Sequence, residues 1–534
     1  MIFSFRPILF LQLICWAISA FAVCDCQGKE ASKPIYAVVV STETAQDPAW
    51  AQVVATLCAR HHGQEIRHIG TISNCSAALM AAQPRYVAFV ARPEETGMEF
   101  VRQIHLLSRR MDDDPYVDFL WGIVTAATAK GAQRLAADYP PLVVKNALTT
   151  TGITNALVDN ILTISDGTSG GWFRKDSGGE KKGNVSTLLG PQLIKTTMAL
   201  FNQYWKTQPV DLLVTSSHAT TVNLEMPFSL GSLAVAGGRL YPLEEEAFAQ
   251  YLQKCQANSD NWFYRPTCRE LRNKSLSITE AIPFAESLNP KVLVAAGNCL
   301  LGDTMGSDDS LAMAWLTHYG VHQLVGYTVT TWVGRMGWGT NFRWQESGGQ
   351  ISLAEAFVLT NQYIINELVA KCPALATLEP DAATIEQLLE MAQTGKVRQP
   401  TAGMTAIIST LGALRDDQKL RKDLLGLIHD RDTVAFYGDP AWSARFDRTK
   451  HGETVTWSWS QNEQQRDILT LISDKGWKPT EGLALFLPRH MTNAMVSASD
   501  GLNVTLADDF LMISKLILEA GKTYRIIITP TSAP

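Results

Sequence analysis

A chain of 534 residues is longer than one ordinary domain and leads to an expectation of about two to four. Its 46% hydrophobic and 18% charged content is that of a globular protein with sizeable cores. A formal net charge of -6, with no polybasic run, argues against a nucleic-acid partner.

Met1 to Ala22 combines Arg6, an apolar stretch from Ile8 to Ile18 and the small-residue site Ala20-Phe21-Ala22. This pattern reads as a secretory signal peptide cleaved near Ala22, placing the mature chain in a periplasm, at a cell surface or outside the cell. Peripheral surface attachment is the alternative, through acylation of Cys24, although Val23 is bulkier than the residue such processing takes. No later segment runs to 18 uninterrupted apolar residues.

In chain order, 35–40 (IYAVVV) reads as a strand, and Asp47-Pro48 then opens a helix running to Gly63. Tyr86 to Val90 is a second buried strand, Met98 to about Arg110 a helix, and Asp118 to Thr125 a third strand after the acidic turn Asp112-Asp113-Asp114-Pro115. Such alternation implies a largely parallel sheet covered by helices. Asn160 to Ser165 continues it, followed by a polar, glycine-rich stretch from Asp166 to Gly183 that reads as a loop. Gly167-Thr168-Ser169-Gly170-Gly171 fits a G-x-S-x-G elbow, but that chemistry needs a helix directly after the serine, and the charged residues there predict none.

Leu193 to Thr207 reads as a helix, and Val210 to Thr215 as a strand ending in Ser216-Ser217-His218. Ser229 to Ala281 has the character of an insertion placed over the active face. Val292 to Ala296 is again a buried strand, stopping at Gly297-Asn298 before Cys299. A helix over Leu311 to His318, a strand over Gln323 to Val329 and helices over Leu353 to Ala370, Asp381 to Ala392 and Arg415 to Asp430 follow. Asp432 to Tyr437 is a strand closed by Gly438-Asp439-Pro440. Beyond Phe446, alternating stretches at Glu453 to Ser460, Ile468 to Ile472, Gly482 to Leu487 and Thr523 to Ile528 describe a small Ig-like β-sandwich.

His218 and Cys299 each end a buried strand and stand 81 residues apart, so they meet if those strands are neighbours in one parallel sheet. A thiol needs a partner that takes its proton, and imidazole does so near neutral pH. Backbone N–H groups of Ala219 and Cys299 could then hold the oxyanion of a tetrahedral intermediate. Cysteine pairing bears on this. Of nine cysteines, Cys15 lies in the signal, leaving an even number that permits complete pairing; Cys58 with Cys75 and Cys255 with Cys268 are the neighbouring pairs that would leave Cys299 free. Both arrangements stay open.

These residues resemble the gingipain family of cysteine peptidases, a bacterial branch of the caspase-like fold. Carrying the resemblance are Cys299-Leu300-Leu301-Gly302-Asp303, the Thr328 to Trp332 segment, Asp114-Pro115-Tyr116 before Asp118 to Gly122, and Phe436-Tyr437-Gly438-Asp439-Pro440 before the sandwich. The resemblance spans about residue 34 to the C-terminus and implies a signal peptide over 1–22, an N-terminal α/β subdomain over 34–150, a catalytic caspase-like α/β subdomain over 151–445 and a β-sandwich over 446–534. It implies a secreted cysteine endopeptidase acting on a peptide or protein through a Cys299/His218 dyad, with Asp176, or in reserve Asp166, and Trp332 in the substrate pocket. Ala219 and Ile123 depart from the glycine and arginine common in the family, which keeps open an inactive homologue that binds through its sandwich. No cofactor is required by this reading. Asp303, Asp308 and Asp309 are carboxylates of the kind calcium takes, without EF-hand spacing, whereas His61, His62, His68 and Cys24-x-Cys26 lack zinc-site spacing.

Overall fold

The computed structural model describes residues 35–165, 171–184, 191–226, 232–243, 283–332, 334–412, 414, 417–450, 455–479 and 481–530. The signal segment, Cys24, Cys26, Asp166, Cys255 and Cys268 lie outside them.

The first half of the chain builds βα units. Strand β1 (Tyr36–Ser41) is buried from Tyr36 to Val40, and Asp47 then caps the helix Pro48–His61, its carboxylate accepting from the Ala49 N–H at 2.9 Å. With Pro48 in the first turn, this start needs no other partner for the exposed N–H groups. Strands β2 (Gln64–His68), β3 (Tyr86–Val90) and β4 (Leu120–Val124) join β1 in parallel, in the order β2-β1-β3-β4. The next strands are β5 (Leu142–Val144), β6 (Asn146–Thr149), β7 (Asn160–Ser165), β8 (Gly171–Asp176), β9 (Gly179–Asn184) and β10 (Leu212–Thr215). After the short β11 (Asn223–Glu225), β12 (Ser232–Ala236) and β13 (Arg239–Leu243) come β14 (Lys291–Ala295), β15 (Val321–Tyr327), β16 (Val434–Tyr437) and β17 (Ala444–Phe446).

Twelve of these form one sheet in the order β2-β1-β3-β4-β16-β15-β14-β10-β6-β7-β8-β9. Pairing is parallel except at β15–β16 and in the β7-β8-β9 edge. The sheet therefore runs on through both predicted α/β stretches. Strand β16, contributed late in the chain, joins them, meeting β4 at the pair Tyr437 and Ile123. Helices cover it, among them Leu311–His318, in which every residue from Leu311 to Leu316 is buried. The fold is α/β, with a large, mostly parallel central sheet.

Two readings need correction, and one helix was not foreseen. Trp172 to Gly183 forms a β-hairpin rather than a loop: Lys175 faces Glu180 across the turn and the Lys182 ammonium lies 5.7 Å from the Phe173 ring, so the charges that hide the strand pattern also bind the strands together. Such charges suit a sheet edge. Helix Arg335–Glu346 went unread because its glycines look like breakers, yet a Cβ on Gly337 would lie 2.3 Å from the Ala296 carbonyl oxygen, and the glycine permits that approach. Cys58 and Cys75 are free thiols rather than a pair. Burial pushes each up to about 11.

Downstream of Phe446 lie two antiparallel sheets, β18-β19-β24-β21 and β20-β23-β22, from β18 (Thr456–Gln461), β19 (Asp467–Ile472), β20 (Leu483–Phe486), β21 (Met495–Ala498), β22 (Asn503–Leu506), β23 (Phe510–Ser514) and β24 (Thr523–Thr529). Alternating burial along β19 shows one face turned to a core. Among the described residues, no helix is long and apolar enough to cross a membrane.

Candidate active site

Strands β10 and β14 are direct neighbours, parallel and in register, with Thr215 opposite Ala295. Both are entirely buried, so the chain becomes free to turn only past their carboxyl ends. The two exits are sewn together. The Ala296 N–H donates to the Thr215 carbonyl at 2.9 Å, the Thr215 hydroxyl donates to Asn298 Oδ1 at 2.6 Å, and Asn298 Nδ2 donates to the Ser217 carbonyl at 2.6 Å. Asn298 is fully buried, so these bonds replace the water it gave up. The residue before Cys299 is thus tied to the residue before His218. A Cβ on Gly297 would lie 2.4 Å from Ser216 Oγ and 3.0 Å from the Trp338 indole nitrogen, which explains the glycine there.

Past Cys299 the backbone turns sharply. Leu300 sits at φ 58, a conformation that bulky side chains avoid, and its N–H donates to the Val329 carbonyl at 3.0 Å. The Gly302 N–H reaches the Tyr327 carbonyl at 2.9 Å, and a Cβ on Gly302 would lie 2.2 Å from the Gly326 carbonyl oxygen. Strand β15 thereby over-determines the turn, and a strained turn held in this way is a feature of functional sites.

Cys299 is half-buried and a free thiol, its sulfur 3.7 Å from the Thr331 carbonyl oxygen. Burial pushes its pKa above the ordinary thiol value, so the resting group is the protonated thiol at neutral pH. His218 is exposed. It opens a small hairpin in which Ala219 pairs with Leu224 and the Glu225 N–H donates to the His218 carbonyl at 2.9 Å. Ala219 and Leu224 point into the core, at 2% and 0% exposure. Alternation then sets His218 and Glu225 opposite each other on the outer face. Burial raises the Glu225 carboxyl, and the charge of His218 pulls it back down. Ala219 is absent from the positive-φ residues, so its methyl is no obstacle to this backbone.

Trp332 directly follows the carbonyl that touches the Cys299 sulfur. Its ring meets that of His429 at 5.9 Å, and its indole N–H is buried without a partner. Trp338, beside Gly297, stacks on Phe342 at 5.5 Å. His429 in turn contacts the buried Asp430 carboxylate at 3.1 Å, and that carboxylate also accepts from the Tyr327 hydroxyl and the Met336 N–H, each at 3.1 Å. Sequence reasoning passed over this group, since His429 to Asp432 looks like a charged helix end.

Asp176 lies elsewhere. Because β8 runs antiparallel to β7, Lys175 pairs with Ile161, which is level with Ala147, Leu212 and Val292 at the amino-terminal ends of the parallel strands. Cys299 is past the opposite end. Asp176 instead pairs with Arg174 at 2.7 Å and accepts from the Gly178 N–H at 2.8 Å. The reversal of β8 sets it at the end of the sheet opposite Cys299. Asp303, Asp308 and Asp309 do not converge either: Asp303 accepts from the Met305 N–H at 3.0 Å, and Asp309 from the Gly238 N–H at 3.0 Å. Among the described residues, the carboxylates that do meet are Asp112, Asp114 and Asp118, within 4.8 Å of one another. Burial and mutual repulsion push Asp118 up to about 9 and Asp114 up to about 6.

No family model matches this chain, and no curated protein does. A solved structure described as "Structure of Protease" aligns over 93% of this chain and 95% of that one, at 11% identity and a TM-score of 0.33. Similarity at that level carries no argument, and the site stands on its own geometry.

Proposed function

We propose that the chain is a cysteine endopeptidase, secreted after cleavage near Ala22 and similar to the gingipains in its caspase-like core and Ig-like C-terminal sandwich. One observation carries this reading: the Asn298 bridge between the exits of β10 and β14, which brings the segments bearing His218 and Cys299 together. The Cys299 sulfur attacks the scissile carbonyl carbon while its proton passes to the His218 imidazole, and the oxyanion is held by the Ala219 and Cys299 N–H groups. Collapse expels the amine, protonated by His218, and leaves a thioester. Water, deprotonated by His218, then releases the acid and restores the thiol. Glu225, opposite His218, positions the imidazole, and Trp332 walls the pocket. Since burial keeps the resting thiol protonated, proton transfer accompanies attack rather than preceding it.

The test is active-site titration with a peptidyl acyloxymethyl ketone, followed by peptide mapping. Label on Cys299, together with loss of peptide hydrolysis by roughly three orders of magnitude or more in a folded Cys299→Ala protein, is the expected outcome. The same burial favours a second reading, a non-catalytic binding protein that kept the scaffold. Hydrolysis that persists in Cys299→Ala, or no hydrolysis by the native chain, would remove the peptidase reading.

A further inference from the structure

Apart from the Cys299 site, the molecule carries a groove where the loops after β2 and β3 meet Asp303 to Gly306. It consists of two adjoining hollows of about 570 Å³ and about 540 Å³, which share Gly70, Glu95, Phe100 and Gln103. Each is in the size range of a ligand site. Their position has a topological cause: from β1 the chain crosses to β2 on one side and returns to β3 on the other, and the loops at such a switch point part to leave a crevice. The Thr96 and Thr304 hydroxyls, 2.8 Å apart, fasten one wall to the segment that follows Cys299.

The lining has one sign of charge. Glu43 and Glu95 face one hollow, Glu95, Glu99, Asp303 and Glu386 the other, and no lysine or arginine lines either. Arg92 and Arg102 are not among the lining residues; Arg92 pairs with Glu43 at 2.7 Å and with Glu95 at 3.9 Å, and Arg102 with Glu99 at 2.6 Å, two guanidinium groups against five lining carboxylates. Glu95 is fixed by the hydroxyls of Ser41 and Thr44 and by the Arg92 N–H, so it cannot swing away. These carboxylates are not among those that converge on a point, as a metal ion would need. They share the lining with Met98, Phe100 and Met305. A lysine or arginine side chain suits such a mixed lining, having an apolar stem for the apolar side chains and a cationic head for the carboxylates.

We propose that this groove binds an extended peptide segment bearing two basic residues, one cation per hollow. The proposal is independent of the peptidase reading, because neither Cys299 nor His218 lines either hollow.

The experiment is fluorescence polarisation of a labelled Gly-Ser-Lys-Leu-Lys-Ser-Gly peptide on the full chain carrying Cys299→Ala, so that binding is read without turnover. Affinity should fall about tenfold or more in Glu99→Gln/Glu386→Gln, and similarly between about 50 and about 250 mM salt. Glu386→Gln alone, at an exposed helix position, should show part of the loss, and Glu463→Gln, exposed on the distant hairpin, none. Equal binding of the norleucine-for-lysine peptide, or unchanged affinity in the double variant, would overturn the proposal. So would displacement of the peptide by spermidine at equal cation concentration, which would assign the groove to small polyamines. Hydrolysis of a peptide without basic residues reports on Cys299 alone, so the two ideas fail separately.

Discussion

The two ends of the β7-β6-β10-β14 sheet treat polar groups in opposite ways. At the amino-terminal end the charged groups are answered: Asp211 accepts from the N–H groups of Lys145 and Asn146 and from Asn146 Nδ2, all within 3.0 Å, and the Lys291 ammonium is enclosed by oxygens of Ser287 and Asn289, while the buried Tyr204 hydroxyl is left without a partner. Asp176, on the same end, is closed by Arg174 and the Gly178 N–H. At the carboxyl end the Cys299 sulfur has a single long contact, the Trp332 indole N–H has no partner, and His218 faces solvent. Unmet buried polarity costs roughly 1–3 kcal/mol per group, and at the carboxyl end it stands beside an exposed imidazole and a thiol rather than beside satisfied charges. Charge by itself is a poor guide to the site, because the charged end is the satisfied one.

The comparison can be broken at its stitch. Asn298→Ala removes the bridge between the two exits while leaving both proposed catalytic side chains in place. kcat/KM on a peptide substrate should fall roughly 100-fold, the scale expected when reacting groups shift by about an ångström. The far-UV spectrum should not change. A variant with full activity would mean that the bridge positions nothing, and would take away the observation that carries the peptidase reading. Glu225→Gln should cost less, about tenfold in kcat/KM. Glu225→Asp should recover part of the rate. A loss of rate that Glu225→Asp does not recover at all would make Glu225 a structural residue of the hairpin.

Much of the scaffold was legible because burial leaves a plain signature. The runs at Tyr86 to Val90 and Asn160 to Ser165 could only be strands, and their ends are where sequence reading placed them. The positions of Cys299 and His218 were legible for the same reason, each just past a buried apolar strand. Partners that depend on chain direction were not. Asp176 was misplaced because nothing in its glycine-rich, charged surroundings announces that β8 turns back along β7. Glu225 stands seven residues after His218 and reaches it only through the Ala219–Leu224 pairing. Strain was invisible as well: Leu300 is an ordinary leucine in the sequence, and its positive φ arises from hydrogen bonds to a strand more than twenty residues later.

The smallest expected effect lies at the satisfied end. Lys291 is fully buried, and burial pulls its ammonium down to about 7. The unfolded chain keeps a proton on this lysine up to about pH 10.4, whereas the folded chain has released it above about 7. Between those values the unfolded state binds more protons, so stability should rise with pH across that window and lose the gain on acidification toward 7. Lys291→Met keeps the stem that packs beside Trp205 and removes the titration. Its melting temperature should be flat over pH 7 to 9, where the native chain climbs by a few degrees, the shift that the ~2 kcal/mol of this linkage gives in a large domain. Peptide hydrolysis should be unchanged. A drop in kcat/KM without a change in melting would show that the two ends of the sheet are coupled, and that the amino-terminal end does more than hold the strands in place.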